Sequence, residues 1–286
     1  MDSAINEKPK MDAHFYIDNA PPIEVTQILR IMGHDSEFTN QEIAEIFKKS
    51  YGFEMQRDHT YSPRRLCDLG LFEKKRTGSR ETNNLTDLGK KLQNILGIDI
   101  SLAFDLLHYL HYTRYENHPN ARKYFWSYNR CCELIWEKGF LIKPDELAAI
   151  IQVEMKQEFP MLDFNAKKGG RFNAVSAGCV STWLRALIPS PITKPGELIQ
   201  RRLVQRFELS LLALSYVYQI RGYQYGDPVL MDRQLIDQIS GVFFLNGECC
   251  SNLLRMASRI SSLVKLSDTL SGTSITLLKP FTINDV

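Results

Sequence analysis

The sequence predicts a mainly α-helical protein that opens with a winged-helix-like domain. Three observations predict it. Apolar residues recur at the i, i+3, i+4 spacing of helices along most of the chain. Capping signals mark helix starts: Thr39 with Glu42 three residues on, Ser62 followed by Pro63, and Thr86 ahead of an apolar run. Between Leu71 and Leu85 the pattern changes to two short strands around the turn residues Thr77-Gly78-Ser79.

The elements follow in order. Residues 1–20 carry mixed charge and little periodicity, and read as a mobile tail. Pro21-Pro22 starts the fold, and Ile23, Val25, Ile28, Leu29 and Ile31 predict a helix ending near Gly33. A second helix covers 40–50 on Ile43, Ile46 and Phe47, closed by Gly52. A short third helix, 63–69, takes Ser62 as its cap, buries Leu66 and Leu69, and ends at Gly70. Strands at 71–76 and 81–85 and a helix carrying Leu88, Leu92 and Ile95 complete a winged-helix-like domain over 21–97. A helical middle spans 98–190, with helices at 100–112, 119–139, from Pro144 to before Pro160, and 172–187, and a basic flexible loop at 167–171. Residues 191–286 add helices at 207–221, 231–244 and 247–263, then strands at 264–269 and 274–279. The helix-then-hairpin order of 63–86 thus returns at the end of the chain, a hint of a second winged-helix-like unit.

Composition bounds the function. The 286 residues are 44% hydrophobic and 24% charged, which is ordinary for a globular protein. No apolar run approaches the roughly 20 residues that span a bilayer, and the first 20 residues have no apolar signal-peptide centre. The expectation is a cytoplasmic protein with no membrane partner. Six cysteines include two adjacent pairs and no C-x-x-C, so they read as reduced, mostly buried thiols. The formal charge is only +2, so a polyanion site must come from local clustering.

One segment clusters charge. From Lys48 to Lys91 there are eleven basic and six acidic residues. A helix-turn-helix reads DNA with a short helix in the major groove, cations on it and beside it. Arg64 and Arg65 occupy the first turn of the third helix, with Arg57, Thr60, Tyr61 and Ser62 just before it. The hairpin adds Lys74, Lys75, Arg76 and Arg80. Arginine forks suit guanine edges and phosphates, and hydroxyls at a helix start suit phosphates. These ten residues are the expected nucleic-acid contacts.

Catalytic signals are sparse. There is no G-x-x-x-x-G-K-[ST], G-x-G-x-x-G or H-E-x-x-H, and no cofactor is expected. Asp105, His108 and His111 are spaced three apart, so one helix face could offer them to a metal. Tyr124, Phe125, Trp126 and Tyr128 interleave with Arg122, Lys123 and Arg130, a pattern for stacking unpaired bases or, more commonly, for a core. Cys179 reads as a buried structural thiol.

The run Ser62-Pro63-Arg64-Arg65-Leu66-Cys67-Asp68-Leu69-Gly70-Leu71, then Leu85-Thr86-Asp87-Leu88-Gly89, resembles an uncharacterised prokaryotic winged-helix family, a domain of unknown function. Leu106-Leu107-His108-Tyr109-Leu110-His111 and the aromatic Tyr124-Phe125-Trp126 fit that family's following helices. Its members are encoded beside DNA-phosphorothioation and other anti-phage genes. The resemblance covers about half the chain and implies a DNA-associated role in antiviral defence or DNA modification, with no active site to carry over. The leading expectation is a non-enzymatic component that binds double-stranded DNA through the basic winged helix. The alternatives are a protein-interaction scaffold in a multi-subunit complex and a metal-dependent nuclease using Asp105, His108 and His111.

Overall fold

The computed structural model describes residues 14–55, 59–118, 121–162, 171–270 and 272–286. Arg57, residues 1–13 and the predicted loop at 167–170 lie outside the described residues. The chain is mostly helical, with eleven α-helices and two small sheets among the described residues.

Helix α1 (Pro22–Ile31) starts on a proline, whose fixed φ and missing N–H cost nothing in a first turn. It buries Val25, Ile28 and Leu29. Helix α2 (Asn40–Tyr51) has the capping box read from the sequence: Glu42 N–H donates to Thr39 Oγ1 at 3.2 Å, and Thr39 N–H donates to Glu42 Oε2 at 2.7 Å. Gly52 closes it in the left-handed region, φ 76°. Helix α3 (Tyr61–Asp68) follows, then strands β1 (Phe72–Thr77) and β2 (Arg80–Leu85), paired antiparallel from Phe72 opposite Leu85 to Thr77 opposite Arg80. Phe38 pairs with Asn83, adding a one-residue third strand to the hairpin's β2 side.

Two glycines fix the junction after α3. Gly70 sits at φ 77°, and Leu71 N–H reaches back to Leu66 O at 2.8 Å, the six-to-one bond of a Schellman end. Gly89, in the first turn of α4 (Asp87–Ile98), lies against the Leu71 carbonyl: a Cβ there would stand 2.1 Å from that oxygen. Thr86 caps α4 by accepting from Gly89 N–H at 3.0 Å, and its hydroxyl donates to Gly70 O at 2.7 Å.

Helix α5 (Ile100–Asn117) is the axis of the molecule. Its residues from Ala103 to Thr113 are all buried, Asp105, His108 and His111 among them. Around it pack α4, α6 (Lys123–Lys138), α8 (Ala174–Ala186), α9 (Phe207–Arg221) and α10 (Arg233–Phe243), while α7 (Pro144–Glu158) pairs with α8. The buried apolar side chains form one continuous cluster.

After α9 come β3 (Pro228–Leu230), α10, α11 (Gly247–Ile260), β4 (Val264–Thr269) and β5 (Gly272–Leu277). The sheet order is β3-β5-β4, antiparallel throughout. This is the order of the N-terminal region: helix, short strand, two helices, hairpin, with the short strand on the hairpin's second member.

Two expectations are corrected. Residues 14–20 are not a loose tail: Phe15, Ile17 and Ala20 are buried, and Ile17 N–H donates to Ser176 Oγ at 3.2 Å. Ser62 does not cap α3. The helix starts at Tyr61 behind Thr60, and the Ser62 hydroxyl is buried, donating to the Glu24 carboxylate. A packed extended segment with only two large apolar residues leaves no period to read.

Candidate nucleic-acid interface

The predicted contact residues fall into two groups. Those on α3 are buried, as Ser62 and Arg65 are, or half-buried, as Tyr61 and Arg64 are. No residue of α3 is exposed. Arg65 is 2% exposed: its guanidinium lies 4.0 Å over the Tyr124 ring, Nη1 is 3.2 Å from His111 Nε2, and Nη2 donates to Asp18 O at 3.4 Å. Arg64 pairs with the Asp18 carboxylate and stacks on Tyr61 at 5.2 Å. Asp68 takes the Tyr124 hydroxyl at 2.7 Å and lies 3.2 Å from Arg122 Nε. Arg65 and Ser62 therefore do not face a groove. Helical spacing carries the reason: Arg65 is four residues before buried Leu69, and Ser62 four before buried Leu66. Thr60 and Tyr61, at the start of the helix, are half-buried.

The hairpin group is outside. Lys74, Lys75, Arg76 and Arg80 are exposed. Carboxylates meet most of them: Lys74 with Glu81, Lys75 with Glu37, Arg80 with Glu42 at 2.9 Å. Arg76 Nε donates to Gly78 O at 3.3 Å. Lys48 and Lys90 pair with Glu54 and Asp35. Part of the cationic excess counted along the sequence is thus cancelled in space by Asp18, Asp35, Glu37 and Glu42, which lie outside the counted window.

Helix α11 holds in the C-terminal region the place that α3 holds in the N-terminal one, and it presents an open face. Asn246 caps it, accepting from Glu248 N–H at 3.0 Å and Cys249 N–H at 3.1 Å. Cys250, Leu253, Leu254 and Ala257 point in. Glu248, Asn252, Arg255, Met256, Arg259 and Ile260 are exposed. Arg255 and Arg259, four apart, share one face. Neither guanidinium has an ion pair or hydrogen bond among the described residues, unlike Arg206, which is tied to Asp99, or Arg202, buried 2.7 Å from Asp105. Lys265 is exposed on the adjoining β4. The sequence reading passed over these residues because the local charge count is low. The signal that finds them is periodicity: 248, 252, 255 and 259 all fall on the side opposite Leu254 and Ala257.

The three metal candidates go separate ways. His108 Nδ1 accepts from the Tyr128 hydroxyl at 2.8 Å, and Nε2–H donates to Val242 O at 2.7 Å, which occupies both ring nitrogens. His111 faces Arg65 and stacks on Tyr128 at 3.7 Å. Asp105 faces Arg202. Among the described residues no group of three or more His, Cys, Asp or Glu could hold a metal ion. Burial lowers both histidine pKa values, that of His108 to about 4. Tyr124, Phe125, Trp126 and Tyr128 are core, not a stacking surface. All six cysteines are free thiols, and burial pushes Cys67 and Cys250 up to about 11, away from nucleophilic use.

No described helix is long and apolar enough to cross a membrane. Comparison with family models, with curated proteins and with solved structures gives no match.

Proposed function

We propose that the protein is a non-enzymatic, duplex-DNA-binding component built on two winged-helix-type units, and that its groove-facing element is α11. The observation that carries this reading is the contrast between the two equivalent helices. Helix α3 has no exposed residue, whereas α11 offers Arg255 and Arg259 free of partners, with Asn252 on the same face and Lys265 beside the helix. Guanidiniums and a carboxamide are the side chains that fork onto guanine and adenine edges, and a lysine on the neighbouring strand suits phosphate. The N-terminal unit then serves as a structural dock, its third helix spent on internal contacts. The family resemblance supports a role for such a component in a prokaryotic defence or DNA-modification system.

Fluorescence anisotropy with a mixed-sequence duplex at low salt tests it. Arg255→Glu with Arg259→Glu is expected to weaken binding at least tenfold, about 1.4 kcal/mol. Glu248→Gln, which removes a carboxylate from the same face, is expected to tighten it. Equal affinities across all three proteins contradict the assignment.

A second reading has an observation of its own. Leu203 is 70% exposed, and with Val204, Cys249, Leu253 and Met256 it lines a largely apolar groove of about 510 Å³ beside α11. That surface favours a protein partner in a multi-subunit complex. Loss of a co-purifying subunit on Leu203→Glu, without any duplex binding by the wild type, would select the scaffold over the DNA reading.

A further inference from the structure

Helices α5, α6, α9 and α10 leave a cavity of about 210 Å³ between them. Tyr112 and Tyr216 meet edge to face in its wall, centroids 5.7 Å apart at 76°. Trp136 forms another side, its indole held by an Nε1–H bond to Asp237 Oδ2 at 3.2 Å.

The charge of the lining is one-sided. Glu133, Glu137 and Asp237 line the cavity, and no Lys, Arg or His does. Arg130 lies beside Glu133 and Glu137, 3.0 Å from each, but it also binds Glu154 at 2.8 Å, so one guanidinium serves three carboxylates. Burial raises the Glu133 pKa against the pull of Arg130, and Glu137 raises it further. Gln238 also lines the cavity, and its side-chain oxygen is out of solvent with no donor. A buried acceptor without a donor is costly, and carboxylates gathered at aromatic rings attract a cation.

We infer that this cavity binds a small aliphatic ammonium ligand of the diamine class, its charged nitrogens taken by the carboxylates and the Gln238 oxygen and its methylenes lying along Tyr112 and Tyr216. Aromatic faces accept both an ammonium group and the alkyl chain that carries it. A free anion is repelled by the lining, and a neutral molecule leaves the carboxylates unmatched. A diamine brings two or more N–H donors to Glu133 and Glu137, which share one guanidinium, and to the Gln238 oxygen, which has no donor.

Isothermal titration of the full chain with 1,4-diaminobutane tests this, with 1,4-butanediol as the neutral isostere and KCl at matched ionic strength. The expected result is saturable heat with the diamine, none with the diol or KCl, and tighter binding as pH rises from 5 to 7. Glu133→Gln is expected to weaken binding about tenfold, as loss of a charge-assisted bond would. Asp237→Asn, at an exposed position and with an amide oxygen that can still accept the Trp136 N–H, is expected to do the same. Absence of saturation by the diamine up to on the order of 10 mM overturns the inference. So does equal binding of the diol, or unchanged affinity in both variants. No nucleic acid is present in the titration, so its failure leaves the duplex reading standing.

Discussion

A guanidinium sealed from water needs partners around its whole rim, and Arg65 draws them from three parts of the chain: the Asp18 carbonyl, His111 on α5 and the Tyr124 face on α6. The planar fork matters, because a lysine ammonium has neither the ring stacking nor the reach to two acceptors at once. Arg65→Lys is expected to cost about 2 kcal/mol and Arg65→Ala about 3 kcal/mol in urea denaturation, since each leaves a buried acceptor unpaired and a void over Tyr124. A change below about 0.5 kcal/mol, the usual range for a surface position, would mean that the residue is solvated after all. His108 makes a pH prediction. Its folded pKa is depressed from 6.5 to about 4, chiefly by burial. Its neutral form is therefore the one that folding favours. That contribution is complete above pH 6.5 and is lost as pH falls toward 4, because the unfolded chain binds the proton more tightly. A depression of this size is worth on the order of 3 kcal/mol, and burial of His111 acts in the same direction. Urea midpoints measured from pH 7.5 to 4.5 are expected to fall, and to fall less steeply in His108→Gln. Parallel slopes in the two proteins would show that His108 is already solvated or charged.

At the scale of elements, the junction of α3, β1 and α4 makes the sharpest claim. Gly70, Thr86 and Gly89 are locked together, and Gly89 is a glycine because a methyl group would overlap the Leu71 carbonyl. Gly89→Ala is expected to cost about 3 kcal/mol or more, at the upper end of overpacking, because backbone rather than a flexible side chain stands in the way. Gly97→Ala, later in the same helix with nothing within 4 Å, is expected to stabilise by about 0.5–1 kcal/mol from helix propensity alone. Destabilisation of similar size at both positions would defeat the close-approach explanation. This junction was legible in the sequence as Leu-Gly-Leu and Leu-Thr-x-Leu-Gly, because caps and glycines act through the local backbone. So was the α2 capping box. The inward turn of α3 was only half legible. Spacing placed Arg65 on the Leu69 side, but the partners that make its burial tolerable lie 46 residues and more away, on α5, on α6 and in the segment before α1. The short strands at Phe38 and β3 were silent for another reason: one to three residues show no alternation, and only pairing to a distant hairpin defines them.

For the whole molecule, the proposed duplex binding rests on the distribution of charge. Counting cations along the chain pointed to residues 48–91, yet folding brings Asp18, Asp35, Glu37 and Glu42 onto that region and leaves no residue of the third helix exposed. The same fold leaves Arg255 and Arg259 open on a helix whose sequence neighbourhood is not notably basic. A linear count weighs residues equally, whereas folding decides which cations are exposed and which already face a carboxylate. The most direct test is the salt dependence of duplex binding, because each phosphate contact contributes about 0.9 to the slope of log K against log salt. The wild type should bind duplex with a measurable negative slope. Arg255→Ala with Arg259→Ala should make that slope shallower by about two, whereas replacing Lys74, Lys75 and Arg80 together by alanine should change it by less than about one. A slope that is unaltered by the α11 pair and collapses with the hairpin set, or no duplex binding by the wild type at any salt, would contradict the account.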